Sequence, residues 1–128
     1  MEKKNLINFE GYSVEKFSMK KNPNISDEQK NTIDVKYDTY INKDKKLNHL
    51  YRSEFKIKLY TELSELYIEF DGFFKISEAL KEEEKQYFLN VTAATILYPY
   101  IRTFISNVTA FDKGETVILP IINFADRD

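Results

Sequence analysis

The sequence contains no cysteine and one histidine, and these shortages remove whole classes of site. Without thiols the chain forms no disulfides, thiolate metal sites or iron–sulfur clusters, and it has no cysteine nucleophile. His49 alone cannot build a multi-histidine metal centre. Three glycines, at positions 11, 72 and 114, are too far apart for a phosphate-binding glycine loop. We therefore predict no metal, no cofactor and no catalytic residue.

An excess of either charge and a long apolar run are also missing. The 19 Lys and Arg residues nearly balance 21 Asp and Glu residues, for a formal net charge of -2. This balance lacks the basic surface with which proteins bind nucleic acids or anionic membranes. No apolar run approaches the roughly 20 residues of a membrane-spanning helix, and no apolar stretch follows the charged N-terminal residues, as it would in a secretory signal. These absences predict a cytoplasmic protein without nucleic-acid binding or membrane insertion.

Aromatic residues, by contrast, are abundant. Ten Phe and nine Tyr make up 15% of the chain. Each ring buries roughly 150–250 Å², and a small domain has limited interior for so many rings. We therefore expect apolar surface that contacts another subunit or a ligand.

Hydrophobic alternation in the first half predicts four β-strands. A long first strand begins near residue 7, and the polar residues 20–32 form a crossover loop. Three further alternating runs follow at residues 33–41, 51–59 and 66–76. Short connections between half-buried strands predict an antiparallel sheet over residues 7–76, with one face in water.

The first strand changes phase twice. The apolar step from Phe9 to Tyr12 and the step from Val14 to Phe17 are three residues instead of two. A phase change within a strand is typical of a β-bulge. We therefore predict two bulges, with Gly11 easing the first.

Beyond residue 80, apolar residues recur at helical spacing. One stripe follows steps of four and three, and a second lies beside it at steps of seven; their members are Tyr87, Val91, Ala94, Tyr98, Ile101, Ile105 and Val108, and then Leu97, Phe104 and Phe111. The pattern predicts one helix over about residues 80–111, bent at Pro99, because proline leaves the carbonyl of Thr95 without its donor. Two stripes favour burial against both the sheet and another subunit, and a wide stripe on a monomer core is the alternative. Residues 112–128 form a short apolar tail.

Two segments of the second half carry a recognisable pattern. The first is Ile96-Leu97-Tyr98-Pro99-Tyr100-Ile101-Arg102 with Ile105-Ser106, and the second, after a loop through Gly114, is Leu119-Pro120-Ile121-Ile122-Asn123-Phe124. They are similar to the I-L-[FY]-P-Y-x-R helix motif and the P-[VI]-N-F ending of the SecB family of protein-export chaperones. The motifs cover roughly the last third of the chain, and the first half resembles the family in layout.

The resemblance implies an α+β fold, with a four-stranded antiparallel sheet and one long Pro-kinked helix packed on it, in a single domain over residues 1–128. It also implies a homotetramer, built as a dimer of dimers, that binds unfolded polypeptides without ATP and passes them to the export motor SecA. Three alternatives stay open. These are a SecB-like chaperone dedicated to one client such as an antitoxin, a structural assembly adaptor without holdase activity, and a small nucleic-acid binder whose affinity falls steeply with salt.

A chaperone for many clients needs adaptable apolar grooves and strand edges instead of a fixed polar site. The client-groove candidates, from the first two strands and the tail, are Phe17, Met19, Tyr37, Ile41, Ile122 and Phe124. The oligomer-interface candidates, from the fourth strand and the helix, are Leu66, Ile68, Phe70, Tyr98, Ile101 and Ile105. For each single residue, an ordinary core position is the competing interpretation.

Overall fold

The computed structural model describes residues 6–41, 50–111 and 116–126. Four strands precede one C-terminal helical run; the elements are β1 (Ile7–Lys21), β2 (Thr32–Ile41), β3 (Leu50–Tyr60), β4 (Ser64–Ile76), α1 (Glu82–Tyr87), a π-helical turn (Phe88–Thr92), α2 (Ala93–Ala110) and a 3-10 turn (Phe124–Asp126). An antiparallel sheet followed by a helix confirms the α+β class. The chain divides into two compact units between Ala79 and Leu80, and the single domain over residues 1–128 stays a prediction. His49 and Gly114 lie outside the described residues.

The sheet has the strand order β1-β4-β3-β2, and every neighbouring pair is antiparallel. Because β1 and β2 lie at opposite edges, the connection between them crosses the sheet, which confirms the predicted crossover. The backbone N–H of Asn22 donates to the carbonyl of Leu63 at 2.7 Å, in the turn between β3 and β4. Ile25 anchors the crossing with a buried side chain. The connection is shorter than predicted, since β1 extends to Lys21.

Both predicted bulges are confirmed in β1. The pairing register with β4 shifts between Phe9 and Gly11 and again between Val14 and Lys16. Gly11 has φ of +124°, a conformation that residues with a Cβ rarely adopt. The first shift places Tyr12 on the same face as Phe9, so the long edge strand keeps one apolar side.

The sheet has one apolar face and one charged face. A row of apolar side chains crosses all four strands at its middle, in the order Val14, Phe70, Phe55 and Tyr37. Phe55 and Phe70, on the two central strands, are fully buried, whereas Val14 on the edge is exposed. Ring contacts join the edge strands to the central strands. The ring centroids of Tyr37 on β2 and Phe55 on β3 are 4.6 Å apart. Such a pair stabilises the sheet by about 0.5–1.5 kcal/mol beyond the burial of its area.

The helical run spans residues 82–110, close to the predicted 80–111. At its start the backbone N–H of Lys81 donates to the Glu84 carboxylate at 2.9 Å, and Glu82–Glu84 place negative charge where the helix dipole favours it. A π-helical turn at Phe88–Thr92 interrupts the run and was not predicted. The bend at Pro99 stays a prediction. No helix in the described parts of the chain is both long and apolar enough to cross a lipid bilayer.

Candidate functional site

The first unit presents apolar side chains along the outer strand β1. We call the apolar side chains Ile7, Phe9, Tyr12 and Val14 the β1 rim; they are 36% to 49% exposed. Within the described residues β1 pairs only with β4 and forms an edge of the sheet. An edge strand also presents main-chain hydrogen-bonding groups to whatever approaches it. The β1 rim therefore combines apolar surface with backbone that another extended chain can pair with.

The predicted groove residues of the sheet share its apolar face but not one edge. Phe17 and Met19 lie on β1 opposite Ile68 and Leu66 of β4. Tyr37 and Ile41 lie on β2, three strand spacings away, or about 14 Å. The other two candidates, Ile122 and Phe124, belong to the second unit. The sheet therefore offers two separate pairs of these residues, and their role in client binding stays a prediction.

The six predicted interface residues are all buried within the single chain. None of Leu66, Ile68, Phe70, Tyr98, Ile101 and Ile105 is more than 3% exposed. Such side chains have almost no surface left to bury against another subunit. Exposed apolar side chains lie elsewhere, among them the β1 rim, Ile118, Ile121 and Phe111. A contact of these six residues with a second subunit stays a prediction, and exposure does not support it.

In the second unit, α2 holds the C-terminal segment, which we define as residues 116–126, through a ladder of hydrogen bonds. Three side chains one helical turn apart donate to main-chain carbonyls of the segment: Tyr98 Oη to Pro120 O (2.7 Å), Arg102 Nε to Leu119 O (3.1 Å) and Ser106 Oγ to Val117 O (3.0 Å). Thr109 closes the ladder, since its Oγ1 accepts the N–H of Val117 at 2.8 Å.

The ladder forms because the spacing of the donors along α2 is close to the spacing of the carbonyls in the C-terminal segment. Its three donors are spread over eight residue steps of the helix, about 12 Å, and their acceptors over three residue steps of the segment, which reach at most about 10 Å. Every bond of the ladder is made to a main-chain atom of the segment, so the ladder fastens the backbone and leaves the side chains of the segment free to differ. Burial raises the pKa of Tyr98, against an opposing effect of Arg102, so its hydroxyl remains a donor at neutral pH.

The C-terminal segment alternates between buried and exposed apolar residues. Leu119 and Phe124 are buried, and the Phe124 ring meets Tyr98 edge-on at 5.5 Å between centroids. Ile118 and Ile121 are 72% and 83% exposed. The segment thus presents a pair of isoleucines to solvent from a backbone that is held in place.

Two open depressions lie between α2 and the C-terminal segment, and we call them together the helix–tail cleft. The larger, about 330 Å³, is lined by Pro99, Arg102, Thr103, Ser106, Asn107 and Ile118. The smaller, about 160 Å³, shares Pro99 and Arg102 and adds the apolar residues Ile121, Ile122 and Phe124. Sequence reasoning missed this cleft, although the spacing of Tyr98, Arg102 and Ser106 at intervals of four marks one polar line on the helix.

The charged face of the sheet contains a compact cluster around Arg52. Its Nη1 lies 2.9 Å from Glu54 Oε2 and 3.3 Å from Asp71 Oδ2, and its guanidinium stacks over the Tyr40 ring at 4.3 Å. Asp71 is only 5% exposed, and its Oδ1 has no hydrogen-bond partner among the described residues. Burial raises the pKa of Asp71, while Arg52 opposes the rise. The described residues contain no group of three or more His, Cys, Asp or Glu side chains placed to hold a metal ion.

Comparison with known proteins places the chain in a family. The family model described as preprotein translocase subunit SecB matches residues 8–126. An uncharacterised protein of Methanocaldococcus jannaschii is 40% identical over 60 residues, which are 47% of this chain and 38% of that protein. The chain thus spans well under half the length of this relative.

Two solved structures share the fold. A SecB-like chaperone of Mycobacterium tuberculosis, in complex with a ChAD peptide from the HigA1 antitoxin, aligns with a TM-score of 0.66 and 17% identity over 91% of this chain and 90% of that one. A protein of unknown function from Streptococcus agalactiae aligns with a TM-score of 0.58 and 11% identity over 90% and 97%. Because the family model matches nearly the whole sequence, this chain belongs to the SecB family.

Proposed function

We propose that this protein is an ATP-independent chaperone that holds non-native polypeptides and catalyses no reaction. The observation that carries the proposal is the exposed pair Ile118 and Ile121 on a segment whose backbone α2 fastens. Apolar area in water costs about 25 cal/mol per Å², and an unfolded client that covers it recovers this free energy. Membership of the SecB family supports the same function.

The surface suits a partner without a fixed sequence. Ile118, Ile121 and the half-buried Ile122 are aliphatic side chains that contact many apolar shapes. The remaining groove candidates, Phe17, Met19, Tyr37 and Ile41, belong to the same proposal as further client contacts on the sheet. Phe124 is buried against Tyr98, and we assign it to holding the segment in place.

The test is an aggregation assay with a chemically denatured client and no nucleotide. We expect the wild-type protein to suppress light scattering at near-stoichiometric ratios, and the double variant Ile118→Ser/Ile121→Ser to lose most of this suppression. The matched control is Leu63→Ser, which removes one exposed aliphatic side chain from the turn of the sheet unit. Failure of the wild-type protein to slow aggregation, or full activity of the double variant, would overturn the proposal.

We further propose that the protein assembles as a homotetramer, a dimer of dimers, and that the β1 rim forms one of its contacts. An antiparallel pair of β1 edges is self-complementary, as a two-fold interface requires. β1 is 15 residues long, which is long for an edge that stays in water. A structural adaptor would assemble in the same way but fail the aggregation assay, so the two functions are distinguishable.

A narrower function is a chaperone dedicated to one client such as an antitoxin. The M. tuberculosis SecB-like chaperone, solved with an antitoxin peptide, favours this version. A dedicated chaperone would protect one client and leave unrelated denatured proteins to aggregate. The proposal also includes a cytoplasmic location and the transfer of clients to SecA. If clients are transferred in this way, SecA with ATP should release a client that is bound to the chaperone.

A further inference from the structure

Arg102 is the one charged residue in the sequence of α2 (Ala93–Ala110). It is the only charged residue in positions 86–111 and 116–125. No carboxylate in the described residues forms an ion pair with its guanidinium, and its Nε donates to the carbonyl of Leu119. Arg52 differs, because Glu54 and Asp71 neutralise it at 2.9 and 3.3 Å.

Arg102 lines both depressions of the helix–tail cleft. Arginine has five N–H donors in a planar fork, and the bond to Leu119 uses one of them. Thr103 and Asn107 add polar groups beside it, and Ile118 and Ile121 add apolar walls. The cleft therefore combines one cation with apolar surface, and this complements a peptide that carries one carboxylate among apolar residues.

We propose that the helix–tail cleft binds an extended apolar peptide and that Arg102 selects a carboxylate on it. The occupant is a carboxylate and not a phosphate, because one guanidinium balances one negative charge and Arg102 is the single cation among the described residues that line the cleft. The inference rests on the proposed function, since it names the chemistry of a client that the chaperone prefers.

The experiment measures binding of short fluorescent peptides, capped at both ends, with an apolar sequence and Asp, Asn or Lys at one central position. We expect the Asp peptide to bind the wild-type protein about two- to fivefold more tightly than the Asn peptide, the range of a solvent-screened ion pair. The Lys peptide should bind most weakly. At about 1 M salt the Debye length falls to about 3 Å, and the preference should disappear. An Asn peptide with a free C-terminal carboxylate tests whether a carboxylate at the end of a peptide raises the affinity as much as an Asp side chain does.

Variants locate the effect. Arg102→Gln removes the charge and should bind the Asp and Asn peptides equally, whereas Arg102→Lys should keep part of the Asp preference. Lys85→Gln removes another positive charge from the same helical run and should keep the full preference. If Arg102→Gln is too unstable to be measured, the binding of Arg102→Lys and the salt dependence of the wild type decide whether Arg102 causes the Asp preference.

The outcomes separate this inference from the proposed function. Equal affinity of the wild type for the Asp and Asn peptides, a preference that survives in Arg102→Gln, or one that salt leaves unchanged would each overturn the role of Arg102 alone. Absence of binding to any of the apolar peptides would instead count against the chaperone function itself.

Discussion

At the scale of single residues, Asp71 shows how a sheet alters a carboxyl group. The pairing of β3 with β4 sets Asp71 opposite Glu54, and Arg52 lies in contact with it at 3.3 Å. Burial raises the pKa of Asp71, Arg52 opposes the rise, and the negative charges of Glu54 and Glu15 add to it. The folded protein therefore holds this proton more tightly than the unfolded chain does.

The consequence is a dependence of stability on pH. The stabilising effect of the protonated group is fully present below the ordinary carboxyl pKa of 3.8 and is lost as pH rises through the higher folded value. Asp71→Asn keeps the side chain neutral at every pH. We therefore expect the free energy of unfolding of Asp71→Asn, relative to the wild type, to increase between acidic and neutral pH. Urea denaturation at a series of pH values measures this difference, and a flat or falling difference would contradict it.

Gly11 offers a second test at the same scale. Its φ of +124° is unfavourable for any residue with a Cβ, although no atom lies within 4 Å of the position of an added Cβ. Gly11→Ala should therefore destabilise the protein by about 1–2 kcal/mol through backbone strain alone. The control Ser13→Ala, between the two bulges, should change stability by less than about 0.5 kcal/mol. Equal denaturation midpoints for the two variants would show that the first bulge relaxes without cost.

At the scale of elements, the fastening of the C-terminal segment to α2 is the feature that positions the cleft. The motif residues Tyr98 and Arg102 act together as donors to one extended backbone. The resemblance to the family predicts a helix motif and a separate second motif over residues 119–124. In the structure the ladder of hydrogen bonds joins the two motifs, because donors along one line of α2 reach main-chain carbonyls of the C-terminal segment.

Removing a rung should loosen the segment without unfolding α2. We expect Tyr98→Phe, which keeps the ring and loses the hydroxyl donated to Pro120, to cost about 0.5–1.5 kcal/mol. Amide hydrogen exchange within residues 116–126 should become faster in this variant. Thr103→Ala, on an exposed position of the same helix, is the matched control and should leave exchange unchanged. Wild-type exchange rates in Tyr98→Phe would show that the apolar contacts alone hold the segment.

At the scale of the whole molecule, exposure decides which residues are available for assembly. Ile68 is buried at the centre of the sheet, whereas Val14 reaches solvent from the β1 rim. A charge at Ile68 would sit unpaired in the core and destabilise the fold. A charge at Val14 meets water in the monomer and is buried only if β1 edges come together.

Val14→Asp should therefore lower the solution mass of the assembly and leave the thermal melting of the fold nearly unchanged. Light-scattering mass after gel filtration measures the first, and circular dichroism the second. The control is Ile41→Asp on the opposite sheet edge, which is similarly apolar and exposed and should keep the full mass. A wild-type mass in Val14→Asp would remove the β1 rim from the proposed interface.

Features that depend on local periodicity could be predicted from the amino-acid sequence. Strand alternation, the two phase changes around Gly11 and the helical stripe all follow from side-chain direction along a single element, and the motif around Pro99 was enough to suggest the family. Other features depend on which elements become neighbours in the folded protein. Arg52 and Asp71 meet because β3 pairs with β4 in one register, and Tyr98 is buried because the C-terminal segment returns to α2. Separations of 19 and 22 residues along the chain leave no periodic trace in the sequence, so no pattern could have predicted the cleft or the buried carboxylate.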